Sequence, residues 1–115
     1  MINAAAYNNV DGAEENKEIA NKLNGYAPGY LAKAAKATGA IMVHYSTDYV
    51  FPGNGEDKIK EDATISPLNS YGRSKFDGEM KIKAAAAKSK DPKWFIFRTS
   101  WVYDEYGKNF VNTMM

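Results

Sequence analysis

At 115 residues the chain is one domain at most, against roughly 100–200 residues for a typical domain, and has no room for two. Fifteen basic against fourteen acidic residues leave a net charge of +1, too even a balance for nucleic acid or an anionic membrane surface to be the main partner. With 0 cysteines and the single His44, a disulfide scaffold, a thiolate metal site, a cysteine nucleophile and a multi-histidine metal centre are all excluded.

The opening segment, Met1-Ile2-Asn3-Ala4-Ala5-Ala6-Tyr7, is apolar but lacks the basic residues and cleavage site of a secretory signal. No apolar run approaches the roughly 18 residues of a membrane span, so a soluble, cytoplasmic protein is expected. Residues 8–16 are polar and read as a loop. A helical stretch follows, with Ile19 and Leu23 four apart on one face. Asn24-Gly25 and Pro28-Gly29 interrupt it before residues 30–37 resume, which gives two helical pieces or one kinked helix, stopped by Gly39. Residues 40–46 are a continuous apolar run too short for a helix, the pattern of a strand buried on both faces of a parallel sheet.

From residue 48 to 70 the composition turns to Pro, Gly, Asn and charge, with a turn at Pro52-Gly53-Asn54-Gly55. A loop beyond about 12–15 residues is usually functional or disordered. Ser70 is a candidate cap for the next helix, whose apolar stripe of Phe76, Met80, Ala84 and Ala87 is expected to face the sheet and which Asp91-Pro92 ends. Residues 94–97 are the second buried-strand candidate, followed by Arg98-Thr99-Ser100-Trp101, a loop at Gly107 and the start of a helix at residues 110–115. Both ends look cut, and a partial domain is expected. Strand, helix, strand, helix, strand at this spacing makes a parallel α/β array, because each parallel crossover needs a helix.

In such a sheet ligands bind beyond the carboxyl ends of the strands. The residues there are Ala4, Ala5 and Ala6, then Ser46, Thr47, Asp48 and Tyr49, then Thr99, Ser100 and Trp101. Three small alanines let a flat ligand approach the backbone, though alanine also serves plain packing. Ser46 and Thr47 lack the Gly-x-Ser-x-Gly turn of a hydrolase nucleophile. Tyr71 and Lys75 lie four apart, one turn along a helix. A phenol with a pKa near ~10 needs a neighbouring cation to work as an acid or base at neutral pH, and a lysine one turn away can supply it. His44, inside a buried strand, reads as structural. Lys88, Lys90 and Lys93 read as a solvated helix end, where the helix dipole favours cations, rather than a nucleotide site.

Taken together, Asn3-Ala4-Ala5-Ala6, Ser46-Thr47-Asp48-Tyr49-Val50-Phe51, Pro67-Leu68-Asn69-Ser70-Tyr71 with Gly72 and Lys75, and Arg98-Thr99-Ser100-Trp101-Val102-Tyr103 resemble, in order, the extended short-chain dehydrogenase/reductase family. The resemblance covers essentially the whole chain. It implies a partial Rossmann-like parallel sheet flanked by helices, in which residues 1–115 are the central and C-terminal part of a NAD(P)-binding domain. It places the Gly-rich N-terminal part and the C-terminal substrate domain of the family outside residues 1–115. It implies an oxidoreductase that reduces the C4 carbonyl of a dTDP-4-keto sugar with NADPH or NADH, with no nucleic-acid or membrane partner and with a homodimer possible for the full-length enzyme.

By the same resemblance Thr47, Tyr71 and Lys75 are the catalytic residues. Tyr71 is the proton donor and Thr47 a hydrogen-bond partner of the carbonyl oxygen, while Lys75 holds the nicotinamide ribose and lowers the phenol pKa. Ala4, Ala5, Ala6, Tyr71 and Lys75 contact the cofactor; Thr47, Asp48, Tyr49, Asn69 and Trp101 contact the sugar nucleotide. For Tyr49 and Trp101 the alternative is core packing. Other readings are a nucleotide-sugar epimerase or dehydratase of the same family, or a non-catalytic binding protein of the same fold. Dehydratases place a second acid after the Thr-Asp pair, where this chain has Tyr49.

Overall fold

Three strands run parallel in one sheet, in the order β1 (Ile2–Asn3), β2 (Met42–Thr47), β3 (Trp94–Thr99). This is seen in a computed structural model that describes every residue except 54, 56, 57, 88–92, 107, 108 and 115. Ile2 pairs with Val43 and Asn3 with His44, and β2 and β3 stay in register from Met42 and Trp94 to Thr47 and Thr99. Both apolar runs are therefore strands, paired in parallel as the pattern requires. β3 continues two residues past its apolar stretch, because Arg98 and Thr99 remain opposite Ser46 and Thr47.

The segment between β1 and β2 is more helical than its composition suggests. Residues 8–16 contain the short helix α1 (Gly12–Glu15), begun where the Asn9 side chain accepts from the Gly12 amide at 2.9 Å. α2 (Lys17–Ala20) follows and passes through a π-helical turn at Asn21–Tyr26 into α3 (Ala27–Thr38), so the Asn24-Gly25 and Pro28-Gly29 interruptions do not break the helical path. Pro28 falls in the first turn of α3, where a missing N–H costs little. Gly39 ends α3 with φ of 68°, the left-handed conformation glycine adopts without strain. Ile19 and Leu23 remain 49 % and 46 % exposed, and the buried residues of this stretch are Ala20, Asn24 and Gly25.

α4 (Ser70–Ala86) begins on Asn69, not Ser70: the Asn69 side chain accepts from the Gly72 amide at 2.7 Å. Ser70 is held from another element, its amide and hydroxyl donating to the Glu14 carboxylate at 2.6 and 2.7 Å. The expected stripe is not the buried one. Met80, Ala84 and Ala87 are exposed and Phe76 is half-buried, while Tyr71, Ser74, Lys75, Gly78, Glu79 and Ile82 are buried. Hydrogen bonds decide this face. Ser74 lies under Asn24, Lys75 under the Tyr45 carbonyl and Glu79 between Ser46 and Arg98, and a satisfied polar group can be buried where an apolar stripe was expected. Gly78 completes the contact, since a Cβ there would overlap the Asn24 carbonyl oxygen. Asp91-Pro92, Lys88, Lys90, Asn54 and Gly107 lie outside the described residues; Lys93 is exposed.

α3 and α4 cover one face of the sheet through a core of Ala32, Ala35, Met42 and Ile82, with Trp94 and Ile96 packed against it. Ile82 and Met42 are almost completely buried, each worth about 1.5–3 kcal/mol. A second cluster joins Ala13, Ala20 and Tyr71. On the other face Tyr45, Phe95 and Phe97 form an aromatic row about half exposed. The chain closes with α5 (Phe110–Met114).

Candidate active site

At the carboxyl end of β2 the Thr47 side chain receives the Tyr49 amide at 3.2 Å and donates to Asp48 Oδ1 at 3.1 Å, which folds Asp48–Val50 into a 3-10 turn. The first turn of α4 packs directly on this turn. Gly72 makes that possible, because a Cβ there would overlap the Tyr49 carbonyl oxygen. As a result Tyr71 stands edge-on to Tyr49, ring centroids 5.7 Å apart, with its phenol beside the Thr47 side chain. One turn further along α4 the Lys75 ammonium, on a residue only 3 % exposed, donates to the Tyr45 carbonyl at 2.6 Å.

Burial raises the Tyr71 phenol above its ordinary value; the neighbouring Thr47 hydroxyl opposes this, and Asp48 and Tyr49 add to it. The expectation that Lys75 lowers the phenol pKa is therefore corrected. Burial dominates, and the ammonium is engaged by the Tyr45 carbonyl. A phenol held above its ordinary pKa is protonated at neutral pH, the state a proton donor needs. Burial brings Lys75 down to about 8, with Glu79 acting in the opposite sense. His44 is brought down to about 4 by burial and by Lys75, so it is neutral at pH 7. Its Nδ1 pairs with Asn3 Nδ2 at 3.1 Å inside the sheet, and its position is structural.

The structure brings Thr47, Asp48, Tyr49, Tyr71 and Lys75 together. Asn69 stands next to Tyr71, but its carboxamide oxygen is engaged as the cap of α4. Ala4 and Ala5 are exposed and Ala6 half-buried, directly past the end of β1, with the Ala5 amide donating to Asn3 Oδ1 at 3.2 Å. Trp101 lies beyond the end of β3, 67 % exposed, so core packing does not account for it. Tyr49, 47 % exposed, is not a core residue either. Two acids were not singled out from sequence. Glu79 follows Lys75 at the same spacing that links Tyr71 to Lys75, a signal available in the sequence, whereas nothing in the sequence pairs Glu14 with Ser70. Among the described residues no cluster of metal-ligating side chains occurs, and no helix is long and apolar enough to cross a membrane.

Parallel strands joined through helices, with polar side chains gathered at the strands' carboxyl ends, define a Rossmann-like α/β fold. The family model described as the RmlD substrate binding domain matches residues 1–115, and the chain belongs to that family. It is similar to the dTDP-4-dehydrorhamnose reductase of Salmonella typhimurium, at 50 % identity over the whole chain and 37 % of the relative. Among solved structures it is similar to a dTDP-4-dehydrorhamnose reductase from Clostridium acetobutylicum, with TM-score 0.89 and 43 % identity over 98 % of this chain and 38 % of that one. The corresponding enzyme of Bacillus anthracis, in complex with NADP, gives TM-score 0.89 and 42 % identity over 98 % of this chain and 39 % of that one. The chain thus spans a little over a third of the length of these relatives.

Proposed function

We propose that residues 1–115 are the central and C-terminal part of the NAD(P)-binding domain of a dTDP-4-dehydrorhamnose reductase, a cytoplasmic member of the extended short-chain dehydrogenase/reductase family that assembles as a homodimer when complete. The observation that carries this reading is the placing of the Tyr71 phenol beside Thr47, with Lys75 one turn further on, all at the carboxyl edge of a parallel sheet. The acid following Thr47 is the single Asp48, flanked by Tyr49, which favours a reductase over a dehydratase.

The residues present fit one half of a nicotinamide dinucleotide. Ala4, Ala5 and Ala6 leave a strand end open to a flat group, and Lys75 has donors beyond the one given to Tyr45 with which to hold a ribose hydroxyl. The Gly-rich turn that grips a pyrophosphate is not in this sequence. When bound, NADPH or NADH supplies a hydride. The chain's own residues do the rest: Thr47 and Tyr71 receive the C4 carbonyl oxygen of the dTDP-4-keto sugar between their hydroxyls, and Tyr71 passes its proton to that oxygen. Asp48, Tyr49, Asn69 and Trp101 line the approach of the sugar nucleotide.

The test is NADPH oxidation with dTDP-4-dehydro-L-rhamnose, by residues 1–115 alone and by a full-length reductase in which they replace the matching segment of the Salmonella relative. Positioning contributes roughly 7–11 kcal/mol to a two-reactant step, so a chain without the pyrophosphate grip is expected to show little or no turnover and the full-length enzyme clear turnover. A full-length enzyme that binds both reactants but leaves the sugar unreduced refutes the reading.

A further inference from the structure

Glu79 has no exposed surface, although it is a carboxylate in the middle of a helix. Its Oε1 accepts from Ser46 Oγ at 2.6 Å and from Arg98 Nε at 2.9 Å, and its Oε2 accepts from Arg98 Nη2 at 2.7 Å. Each partner lies on a different strand. Ser46, on β2, is the residue before Thr47; Arg98, on β3, is paired in register with Ser46. Arg98 reaches on, its Nη1 donating to the Glu61 carbonyl at 3.1 Å and its guanidinium lying 5.0 Å from the centre of the Phe51 ring, which ties down the segment after the 3-10 turn. Within α4, Glu79 follows Lys75 by one turn on the same buried face.

One carboxylate therefore joins the strand that ends in Thr47 to the helix that carries Tyr71 and Lys75. We propose that Glu79 is a positioning residue for the reduction, fixing Thr47 relative to Tyr71 through Ser46 and keeping a negative charge beside the Lys75 ammonium. The proposal rests on the reading of Thr47, Tyr71 and Lys75 given above.

The groups around Lys75 make this electrostatic role specific. On β2 it meets the Tyr45 carbonyl and neutral His44; on its own helix Glu79 is the charge that favours its protonated form. Tyr71, under the influence of Asp48 and Tyr49, lies one turn back, and Arg98 and Lys83 lie beyond Glu79. Neutralising Glu79 leaves the Arg98 cation unanswered in that direction. Lys75, already brought down to about 8 by burial, then gives up its proton at still lower pH.

The experiment uses the full-length reductase containing residues 1–115, with Glu79→Gln, Ser46→Ala and Tyr71→Phe compared by kcat and KM across pH 6–10. Glu79→Gln is expected to lower kcat tenfold or more with little change in the KM for NADPH, and to move the alkaline fall of kcat to lower pH. Ser46→Ala keeps the charge and is expected to lower kcat severalfold while leaving that fall where it is. A folded Glu79→Gln enzyme with wild-type kcat and an unmoved alkaline limb overturns the proposal. Should Glu79→Gln not fold, wild-type kcat in Ser46→Ala overturns it. Tyr71→Phe separates the two levels: full turnover there removes the underlying reading, whereas loss of turnover there with none in the Glu79 and Ser46 variants removes only the role of Glu79.

Discussion

The carboxamide of Asn24 closes both backbone groups of Tyr7, accepting from its amide at 2.8 Å and donating to its carbonyl at 3.0 Å. It acts as a strand partner would, just where β1 has ended. The same Nδ2 also donates to Ser74 Oγ at 3.0 Å, so one buried side chain in the π-helical turn holds the segment after β1 against α4. Single π-helical turns of this kind are frequent at functional sites. Replacing Asn24 by Ala orphans both groups of Tyr7. Urea denaturation is expected to show a loss of about 1 kcal/mol or more for the unpaired, half-buried groups, and a loss below a few tenths would mean that Tyr7 has other partners.

Gly72 and Gly78 make a second, sterically defined pair. An added methyl meets the Tyr49 carbonyl at one and the Asn24 carbonyl at the other, both backbone atoms that cannot rotate away. Gly72→Ala and Gly78→Ala are each expected to cost about 1–3 kcal/mol, the usual range for overpacking. Gly72→Ala should also separate Tyr71 from Thr47 and lower turnover of the full-length enzyme, while Gly78→Ala, two turns away, should act chiefly on stability. The measurement is kcat alongside the denaturation midpoint for each variant.

The strands were legible in the sequence as apolar runs too short for a helix, residues 40–46 and 94–97, but the burial on both faces that such runs suggest is not found: Ile41, Tyr45, Phe95 and Phe97 are about half exposed on the face that α3 and α4 do not cover. The buried face of α4 was not. Phe76, Met80, Ala84 and Ala87 have the right spacing, but Tyr71, Ser74, Lys75 and Glu79 occupy the interior because each has a hydrogen-bond partner there, and partners across the fold leave no periodic trace. The π-helical turn was hidden for a related reason, since Gly25 and Pro28 are helix breakers by propensity and only their packing against α4 shows why the helix runs on through them. The catalytic candidates were legible through the resemblance of short motifs, not through periodicity.

His44 sets a pH window for stability. Its folded pKa, about 4, lies below its ordinary 6.5, so the folded form disfavours the imidazolium. The stability tied to neutral His44 is fully present above pH 6.5 and is lost as pH falls through about 4, amounting to roughly 3 kcal/mol. Denaturation midpoints of the wild type and His44→Gln should converge toward acid pH. Parallel curves between pH 7 and pH 4 would show that another group controls that range.

Lys75 gives opposite signs for activity and stability. Its folded pKa, about 8, lies below the ordinary 10.5, so between these values the unfolded chain binds the extra proton and stability rises with pH. Turnover should move the other way, falling as the ammonium proposed to hold the ribose loses its charge above about pH 8. A pH profile of kcat in the full-length enzyme, set beside thermal melting at the same pH values, checks both signs at once.

Tyr71→Phe removes the proposed proton donor while keeping the ring that packs on Tyr49. Turnover of the full-length enzyme is expected to drop by the ~10²–10⁴ typical of a lost general acid, with sugar-nucleotide binding retained in calorimetry. Near-wild-type turnover would assign the proton to another group.

The parallel pairing has a consequence for the order in which the molecule assembles. The contact between Asn3 and His44 spans 41 residues of chain and that between Ser46 and Thr99 spans 53, so no strand meets its neighbour through a tight turn. Each closure costs chain entropy before any ladder hydrogen bond forms, which slows folding relative to a hairpin-built sheet of similar size. The crossover helices bridge both gaps, α3 leading into β2 and α4 into β3, so each helical turn formed shortens the loose chain that a strand pairing has to close.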